Sequence, residues 1–587
     1  MPFQYVILLE SESDSRERRS DQLMAGTGLV LTKRTKDYLL FTNAPADVID
    51  LGETGVILGS LFPTFGPPER QRQLDGKEAD QITASSVRHL LERYWGSYIA
   101  LHRGATGHHV LRAPLGTLSC LYVRGHDYVA FASRAKLLVQ AGLARGSVDW
   151  QALAHYLYLR DLPSPHTALL EFRELLPGTE ITISSQTTAI AQLWSPWSYV
   201  DSRGDAADPV LDVKVERTIQ NCVAAFASQF DNVVATLSGG LDSSVVLACL
   251  ARSRTNVTAL TISTQDPNGD ERPYAKCMSQ HAQVELLEEF YHLEDIDLGK
   301  SVASHLPRPS GRIHEQAYRA AVARIAQSQN VAAIFTGNGG DNIFYNSASV
   351  RPIIDRFLLQ GIGPSLATML DVASLTRTSL FRVILETARL VVHDGGKCRW
   401  KPTPQLLSEE LLAAQAHLPI EHPWLTPNDR LIPGKAGHIN MLLRMQHHVE
   451  GYSPDLPFTV VNPIAAQPIV ELCLAIPSWR ACTGGRNRAF IRDAFSTQLP
   501  GTILNRTTKA GPDSFILALL DARIEQIRER LSYGHLSRQG ILNRTELDEI
   551  FRTGRCRDPV YYLRLMALLD TEAWLDQWIA PGVSSLD

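Results

Sequence analysis

The segment Ser238-Gly239-Gly240-Leu241-Asp242-Ser243-Ser244 is a glycine-rich loop between two regular elements. It follows the apolar run Val233 to Leu237, which predicts a β-strand, and it leads into a helical pattern from Val245 to Ala251. Glycines allow the backbone to approach an anion closely, serine hydroxyls donate hydrogen bonds, and a helix N-terminus adds its positive end. This order of strand, loop and helix predicts a site for nucleotide phosphates.

The loop differs from the Walker type, because no G-x-x-x-x-G-K-[ST] pattern occurs in the chain. The transferred group therefore need not be the terminal phosphoryl group. The loop resembles instead the SGGxDS pyrophosphate loop of the ATP pyrophosphatases, which cleave ATP between the α and β phosphates and adenylate an acceptor. The alternative is an ordinary glycine-rich turn between a strand and a helix.

The region after residue 200 alternates strand-like and helical patterns, which predicts a doubly wound parallel sheet. The predicted strands are Val233 to Leu237, Val257 to Ser263 and Val331 to Phe335, and the predicted helices are Val210 to Phe230, Val245 to Ala251, Pro273 to Gln283 and Glu315 to Ser328. Ligands of such sheets bind beyond the carboxyl ends of the strands. Beyond about residue 352 the pattern is mainly helical.

A second glycine-rich loop, Thr336 to Phe344, follows a predicted strand in the same way as the first. Each loop carries an aspartate, Asp242 in the first and Asp341 in the second. Mg²⁺ takes oxygen ligands and commonly uses one or two carboxylates together with phosphate oxygens. The two aspartates therefore predict a shared metal site, and the alternative is that each caps a helix in a turn.

The first third of the chain predicts a mostly β domain with a few helices. Its short strand-like segments are Tyr5 to Leu9, Leu29 to Leu31, Tyr98 to His102, His109 to Arg112, Tyr128 to Ala132 and Glu180 to Ile183. A polar, turn-rich stretch from Trp194 to Asp208 precedes the first helix of the next region. We therefore predict two domains, residues 1–200 and residues 201–587.

The composition is that of a globular protein, with 44% apolar and 20% charged residues and a formal net charge of -5. This charge argues against a general nucleic-acid partner. The eight cysteines form no C-x-x-C pair, which argues against a zinc site of that type and against a disulfide framework. We find neither a signal peptide nor an apolar run of membrane-spanning length, so the sequence predicts a cytoplasmic protein without an integral membrane segment.

A third segment, Gly485 to Pro512, carries the basic residues Arg488 and Lys509. With the two loops, it resembles the class B asparagine synthetases and their relatives, the β-lactam synthetases and the lasso peptide cyclases. In that family a basic residue precedes an LR-x-A helix, and a lysine after P-x-x-I-L-x-R faces the leaving pyrophosphate. The resemblance implies these catalytic roles for Arg488 and Lys509, and a fixed positive charge in such a place is typically worth a factor of about 100 to 1,000 in rate.

The resemblance extends to the N-terminal domain. The segments Arg112 to Gly116 and Phe131 to Lys136 look like the R-D-P-x-G and F-A-S-E-x-K landmarks of the family's amidotransferase domain. That domain needs a cysteine directly after the initiator methionine, and this chain has Pro2 there and its first cysteine at Cys120. The resemblance thus implies a degenerate domain that no longer releases ammonia from glutamine.

The implied fold is an α+β glutamine-amidotransferase β-sandwich of the N-terminal-nucleophile type, degenerate here, followed by an α/β synthetase domain of the adenine-nucleotide α-hydrolase (PP-loop) type with a helical extension. The implied cofactors are ATP and Mg²⁺, with Asp242 and Asp341 as metal ligands. The residues implied to bind ATP are Leu237, Ser238, Gly239, Gly240, Asp242, Ser243, Ser244, Ile262, Thr336 and Gly337.

Asn338 stands where the asparagine synthetases carry the glutamate of G-E-G-x-D-E. An asparagine cannot serve as a carboxylate base or hold an ammonium ion, so it argues against the synthesis of free asparagine. The G-D-N-x-F pattern and the segment Asn462 to Pro468 resemble the lasso peptide cyclases. That resemblance implies a macrolactam synthetase acting on a precursor peptide, with Asn338 on the acceptor side and a leader peptidase as pathway partner. The alternatives are a small-molecule amide or β-lactam synthetase and a catalytically dead peptide-binding scaffold.

Three further groups of polar residues receive structural interpretations. The pairs His108-His109 and His447-His448 are adjacent in sequence, so their side chains point apart and a metal site on either pair is disfavoured. Asp270-Glu271 predicts the start of a helix near the nucleotide. His314-Glu315 and Glu450 to Tyr452 either line the acceptor pocket or serve as helix caps and core residues.

Overall fold

The computed structural model describes residues 2–10, 14–84, 88–184, 188–200, 210–266, 269–394, 398–427, 431–450, 456–507 and 511–579. Its strands are β1 Tyr5–Leu9, β2 Val30–Arg34, β3 Tyr38–Thr42, β4 Val48–Asp50, β5 Gly55–Pro63, β6 Tyr94–Gly104, β7 Gly107–Arg112, β8 Leu121–Arg124, β9 Val129–Ala132, β10 Arg173–Glu174, β11 Thr179–Ile183, β12 Thr188–Gln192, β13 Asn232–Thr236, β14 Asn256–Ser263, β15 Leu286–Phe290, β16 Ala333–Phe335 and β17 Thr459–Val461.

The helices of the described residues are α1 Asp14–Thr27, α2 Gly76–Ala84, α3 Arg88–Arg93, α4 Ala135–Gln140, α5 Trp150–Leu159, α6 Leu211–Ala227, α7 Leu241–Ala251, α8 Arg272–Ala282, α9 Glu315–Ser328, α10 Gly340–Ile343, α11 Arg351–Gln360, α12 Ile362–Thr376, α13 Leu380–Asp394, α14 Glu409–Ala416, α15 Pro433–Glu450, α16 Gln467–Ala475, α17 Ala489–Ala494, α18 Gly501–Leu504, α19 Asp513–Ala522, α20 Ile524–Tyr533, α21 His535–Arg538, α22 Arg544–Thr553 and α23 Pro559–Ile579.

Two antiparallel sheets form the N-terminal part of the molecule. The first sheet has the strand order β10-β8-β9-β1-β3-β2, and the second has the order β12-β11-β7-β6-β5-β4. Alternate residues of β1 explain why the sheets pack together: Tyr5, Ile7 and Leu9 join the core that contains Leu58 and Leu101 of the second sheet. The intervening residues of β1 face a second core, so the whole strand is buried.

Each strand predicted in this region overlaps an observed strand. Six strands of these sheets were not predicted, namely β3, β4, β5, β8, β10 and β12. Of these, β3 and β5 have the largely apolar sequences YLLFT and GVILGSLFP. Both strands are almost completely buried. Alternation cannot reveal such a strand, because a continuous apolar run is equally compatible with a buried helix.

The third sheet is parallel throughout, in the order β15-β14-β13-β16-β17. Its strand β13 shows why it needs cover on both sides: Val233 and Ala235 join one core, while Val234 joins another with Val322 and Ala326 of α9. The prediction of a parallel α/β sheet is therefore confirmed. The two edge strands, β15 and β17, were not predicted. The three residues of β17 carry too little pattern to identify a strand.

A buried ionic cluster joins the sandwich to the region of the parallel sheet. Arg112 Nη1 donates to Glu174 Oε1 at 2.8 Å, Arg308 Nη2 donates to Glu450 Oε2 at 2.9 Å, and the crossed pairs Arg112 with Glu450 and Arg308 with Glu174 are also bonded. All four side chains are buried. Two carboxylates and two guanidiniums compensate one another, so removal of any one leaves an uncompensated buried charge.

The predicted boundary between residues 200 and 201 borders residues 201–209, which lie outside the described residues, so the two-domain division stays a prediction. Within the described ranges, we find no helix with the length and apolar character that a membrane span requires.

Candidate active site

A cavity of about 600 Å³ lies at the carboxyl ends of β13, β14 and β16, as the parallel sheet predicts. Several of the predicted ATP-binding residues line this cavity, namely Leu237, Ser238, Gly240, Asp242, Ser243, Ile262 and Gly337. Three others do not line it, namely Gly239, Ser244 and Thr336. The structure thus brings most of the predicted set to one place.

Two of the three residues that do not line the cavity, Ser244 and Thr336, lie behind it. Ser244 is fully buried because it follows Ser243 on α7, and successive helical residues point about 100° apart. The Thr336 hydroxyl donates to Asn462 Oδ1 at 2.6 Å and accepts from the Asn338 backbone N–H at 3.1 Å. The side chains of Ser244 and Thr336 therefore do not face the cavity, although the sequence predicted that both residues bind ATP.

Glycine is required at Gly239 for two reasons. Its φ is +64°, and a Cβ there would come within 2.3 Å of the Cβ of Tyr274. Glycine is also required where the two loops meet, because a Cβ on Gly337 would come within 2.7 Å of the Ser243 backbone nitrogen. The two glycine-rich loops are thus in direct contact, which places their aspartates side by side.

Arg488 joins the two predicted metal ligands. Its Nη1 lies 2.9 and 2.7 Å from the two carboxylate oxygens of Asp242 and 2.7 Å from Asp341 Oδ1. The side chains of Arg488 and Asp242 are 8% and 9% exposed, whereas Asp341 is 34% exposed. Two carboxylates that converge on one guanidinium nitrogen are the oxygen donors that Mg²⁺ prefers, so these residues fit the ion.

Arg488 also has an unusual backbone. Its φ and ψ are 51° and 39°, in the left-handed region, at the position preceding α17. A non-glycine residue pays strain in this region, and the surrounding contacts must hold it there. The strain fits a side chain that is held in place by the two aspartates.

Two further arginines that the sequence analysis did not assign line the cavity, Arg492 and Arg506. Arg506 donates to the Ser238 carbonyl at 3.1 Å and to Glu271 Oε1 at 2.6 Å, and its guanidinium lies 3.9 Å from the centre of the Tyr274 ring. Burial and the neighbouring Arg488 lower the pKa of Arg492 to about 10. The cluster of positive charge beside the first loop suits a polyphosphate, and both arginines belong to the basic segment already recognised in the sequence.

Lys509 lies outside the described residues, and its predicted role stays a prediction. Thr507, two residues before it, and Pro512, three residues after it, both line the cavity.

The rest of the cavity wall contains uncharged side chains together with the charged Glu315 and Arg319. Asn338 and Asn342 line it from the second loop, and His314 and His447 line it from the start of α9 and from α15. Burial lowers the pKa of His314 to about 4 and that of His447 to about 3, so both imidazoles are neutral at pH 7. His314 and Glu315 thus border the cavity, as the sequence predicted, whereas Glu450 belongs to the ionic cluster. Tyr452 lies outside the described residues.

A second cavity of about 390 Å³ lies between the sandwich and α15, with Pro2, Gln446 and Glu450 in its wall. Met445 borders both cavities. Cys120 is fully buried elsewhere in the sandwich core, and burial raises the pKa of its thiol to about 12. A thiol of that pKa is a poor nucleophile at neutral pH, so Cys120 is no substitute for a cysteine at position 2.

A helix-covered parallel sheet with a cavity at its carboxyl edge defines an α/β protein of the ligand-binding type. The asparagine synthase family model matches residues 214–389 and 459–576, which make up just over half of the chain. The protein therefore belongs to the asparagine synthase family. Members of this family are ATP-dependent amide ligases that form AMP and pyrophosphate, usually with Mg²⁺, and this protein is such a ligase.

Two solved structures show weak similarity. One is the allosteric regulatory enzyme of purine biosynthesis, at 10% identity and a TM-score of 0.21, covering 49% of this chain and 80% of its own. The other is the glutamine phosphoribosylpyrophosphate amidotransferase from B. subtilis complexed with ADP and GMP, at 10% identity and a TM-score of 0.20, covering 62% and 79%. No curated protein matches the sequence.

Proposed function

We propose that this ligase closes a macrolactam ring on a precursor peptide, as a lasso peptide cyclase does. An aspartate or glutamate side chain of the core peptide is adenylated, and the peptide's own N-terminal amine then attacks it. The observation that carries the proposal is Asn338, which lines the cavity at the position where the asparagine synthetases carry a glutamate. An uncharged amide there neither holds ammonium nor competes with a peptide amine for a proton.

ATP would bind along the first loop, with its phosphates against Ser238 and Ser243 and the N-terminus of α7. Asp242 and Asp341 would hold Mg²⁺, which neutralises charge on the phosphate oxygens when it is bound. Arg506, fixed by Glu271 and Tyr274, supplies positive charge beside the same loop without further reorganisation. Lys509 and Arg488 keep the catalytic roles that the family resemblance implies.

The chemistry proceeds in two steps. A carboxylate oxygen of the peptide attacks the α-phosphorus of ATP, and the bond to the leaving pyrophosphate breaks. The α-amine then attacks the acyl carbon, AMP leaves, and one proton passes to solvent. The cavity can hold the reacting ends together before the chemistry begins, which offsets the ordering entropy of a flexible chain.

The N-terminal sandwich supports an amine source other than glutamine. Pro2 borders the second cavity and has no nucleophilic side chain, and Cys120 is buried with a raised pKa. We therefore propose that the sandwich is a degenerate amidotransferase domain. Because the attacking α-amine must first be exposed by removal of a leader, we also propose a leader peptidase as pathway partner. The proposal further includes a cytoplasmic location and no nucleic-acid partner.

A small-molecule amide synthetase is the second candidate. Met445 borders both cavities, so a small amine in the second cavity would lie close to the synthetase cavity. Membership in a family of ligases argues against the third hypothesis, a catalytically dead scaffold.

The first test is ATP–pyrophosphate exchange in the presence of Mg²⁺, with leader-free peptides bearing an internal Asp or Glu compared against free aspartate. Exchange with peptide alone, together with a product lighter by one water, supports the macrolactam synthetase. Exchange with free aspartate supports the small-molecule enzyme instead.

Matched variants identify the site. Asp242→Asn should abolish exchange, whereas Asp521→Asn, an exposed carboxylate paired with Arg557 away from the cavity, should leave it unchanged. Full activity of Asp242→Asn would overturn the assignment of this cavity as the ATP site.

A further inference from the structure

Three metal-ligating side chains meet on one face of the second N-terminal sheet, far along the chain from the predicted ATP site. His102 lies on β6, His109 on β7 and Glu180 on β11, and all three are buried. One ligand atom of each lies within 4.8 Å of the ligand atoms of the other two. None of the three lines the synthetase cavity.

Strand pairing explains how these residues converge. His102 and His109 are register partners across the antiparallel pair of β6 and β7, near the hairpin that joins the two strands. Glu180 pairs with Leu111 on the neighbouring strand β11, two residues along from His109. Because side chains alternate between the faces of a strand, all three point to the same face and His108 points to the other.

The distances suit a single small ion. His109 Nδ1 lies 3.0 Å from Glu180 Oε2, and His102 Nε2 lies 3.6 Å from Glu180 Oε1. The two imidazole rings are stacked, with centroids 4.7 Å apart and planes 14° from parallel, so one ring would have to turn for both to bind the same ion. Ligand atoms on a tetrahedral zinc ion, at bond lengths of about 2.0 to 2.1 Å, lie about 3.4 Å from one another.

The hydrogen bonding also indicates a ligand. His102 is 1% exposed; among the described residues its Nδ1 has no hydrogen-bond partner, and its Nε2 has only the 3.6 Å contact with Glu180 Oε1, which is longer than a hydrogen bond. Within the same described part of the chain, Glu180 Oε1 has no contact within hydrogen-bond distance either. Buried polar atoms are normally satisfied, so each of these atoms needs a partner. His109 has the second contact that a metal-bound histidine usually makes, because its Nε2 lies 3.2 Å from the Thr106 hydroxyl.

We propose that His102, His109 and Glu180 bind one divalent transition-metal ion, with Zn²⁺ as the preferred ion. Two imidazoles and a carboxylate form a donor set that zinc accepts, and a water molecule would take the fourth position. The ion would tie β6, β7 and β11 together and so stabilise the sandwich. This site does not depend on the proposed function, because it shares no residue with the synthetase cavity.

The test uses the purified full-length chain, stripped with a chelator and titrated with Zn²⁺ in excess Mg²⁺, so that Asp242 and Asp341 do not compete. Bound zinc is measured by elemental analysis after desalting. We expect one Zn²⁺ per chain in the wild type and in the matched control His108→Gln. His102→Gln and Glu180→Gln should each weaken zinc binding at least tenfold.

Two measurements keep the test decisive if a variant folds poorly. Co²⁺ bound to the wild type should give the strong visible absorption of a tetrahedral site, and added Zn²⁺ should abolish it. Zn²⁺ should also raise the melting temperature of the wild type and of His108→Gln. No zinc in the wild type, or full zinc retention in both His102→Gln and Glu180→Gln, would overturn the proposal and leave the cluster as a buried histidine–carboxylate ion pair.

Discussion

Replacement of Arg488 by glutamine should destabilise the protein in a way that Mg²⁺ reverses. One Arg488 nitrogen contacts both oxygens of Asp242 and one oxygen of Asp341. Removal of one partner from a buried ion pair typically costs about 3 to 5 kcal/mol. Because Asp341 is one-third exposed and partly screened by solvent, we expect the lower end, about 3 kcal/mol.

The same geometry predicts the size of the rescue. Without the guanidinium, the two carboxylates repel each other and form a stronger cation site. An ion that binds only the folded state adds about 2.7 kcal/mol of stability at 100 times its dissociation constant. Saturating Mg²⁺ should therefore restore most of the stability that Arg488→Gln loses, and should add less to the wild type.

Urea unfolding with and without Mg²⁺ measures both effects. Arg488→Lys is the control, because it keeps a positive charge at the same strained backbone position and should lose less stability. ATP–pyrophosphate exchange by Arg488→Gln should also fall by about 100-fold to 1,000-fold. Equal unfolding midpoints for Arg488→Gln and the wild type, or equal gains from Mg²⁺, would refute the proposed contact between the guanidinium and the two aspartates.

Three further predictions concern single residues. Asn338→Glu places a carboxylate in the cavity wall and should raise the pKa of the attacking amine by about one unit, which lowers ring closure about tenfold near neutral pH and shifts the pH–rate profile upward. His447 has a folded-state pKa of about 3, below its ordinary value of 6.5, because of burial. The unfolded chain therefore binds one more proton between those values, stability falls as pH drops through that window, and His447→Gln should reduce the slope by about 1.4 kcal/mol per pH unit. Glu174→Gln leaves Arg112 and Arg308 with a single carboxylate and should cost about 3 to 5 kcal/mol in urea unfolding.

Each of these has a contradicting result. An unchanged pH–rate profile for Asn338→Glu would separate this residue from the acceptor amine. Parallel stability-against-pH curves for the wild type and His447→Gln would show that His447 titrates normally. A change below about 0.5 kcal/mol for Glu174→Gln would mean that the ionic cluster is not compensated as its contacts indicate.

Local pattern was sufficient for the three central strands of the parallel sheet and for the approach of Asp242 to Asp341. Each loop follows an apolar strand directly, and parallel strands bring their carboxyl ends to the same edge. Local pattern did not identify Arg488, which was found only through a family resemblance. Its contact with Asp242 joins residues 246 positions apart, and no local pattern reports such a contact. The orientation of α7 decided which of the two predicted serines reaches the cavity, because it turns Ser243 toward the cavity and Ser244 into the core.

The amino-acid sequence alone determined the two glycine-rich loops and the presence of proline, which has no nucleophilic side chain, at position 2. These features depend on neighbouring residues or on single positions. Packing decided what distant segments do together. It joined Arg112 to Glu450 across 338 positions, and it brought His102 and Glu180 to one face of a sheet through strand pairing. The sequence lists side chains one by one, and strand register and the folding of one part against another set which of them meet.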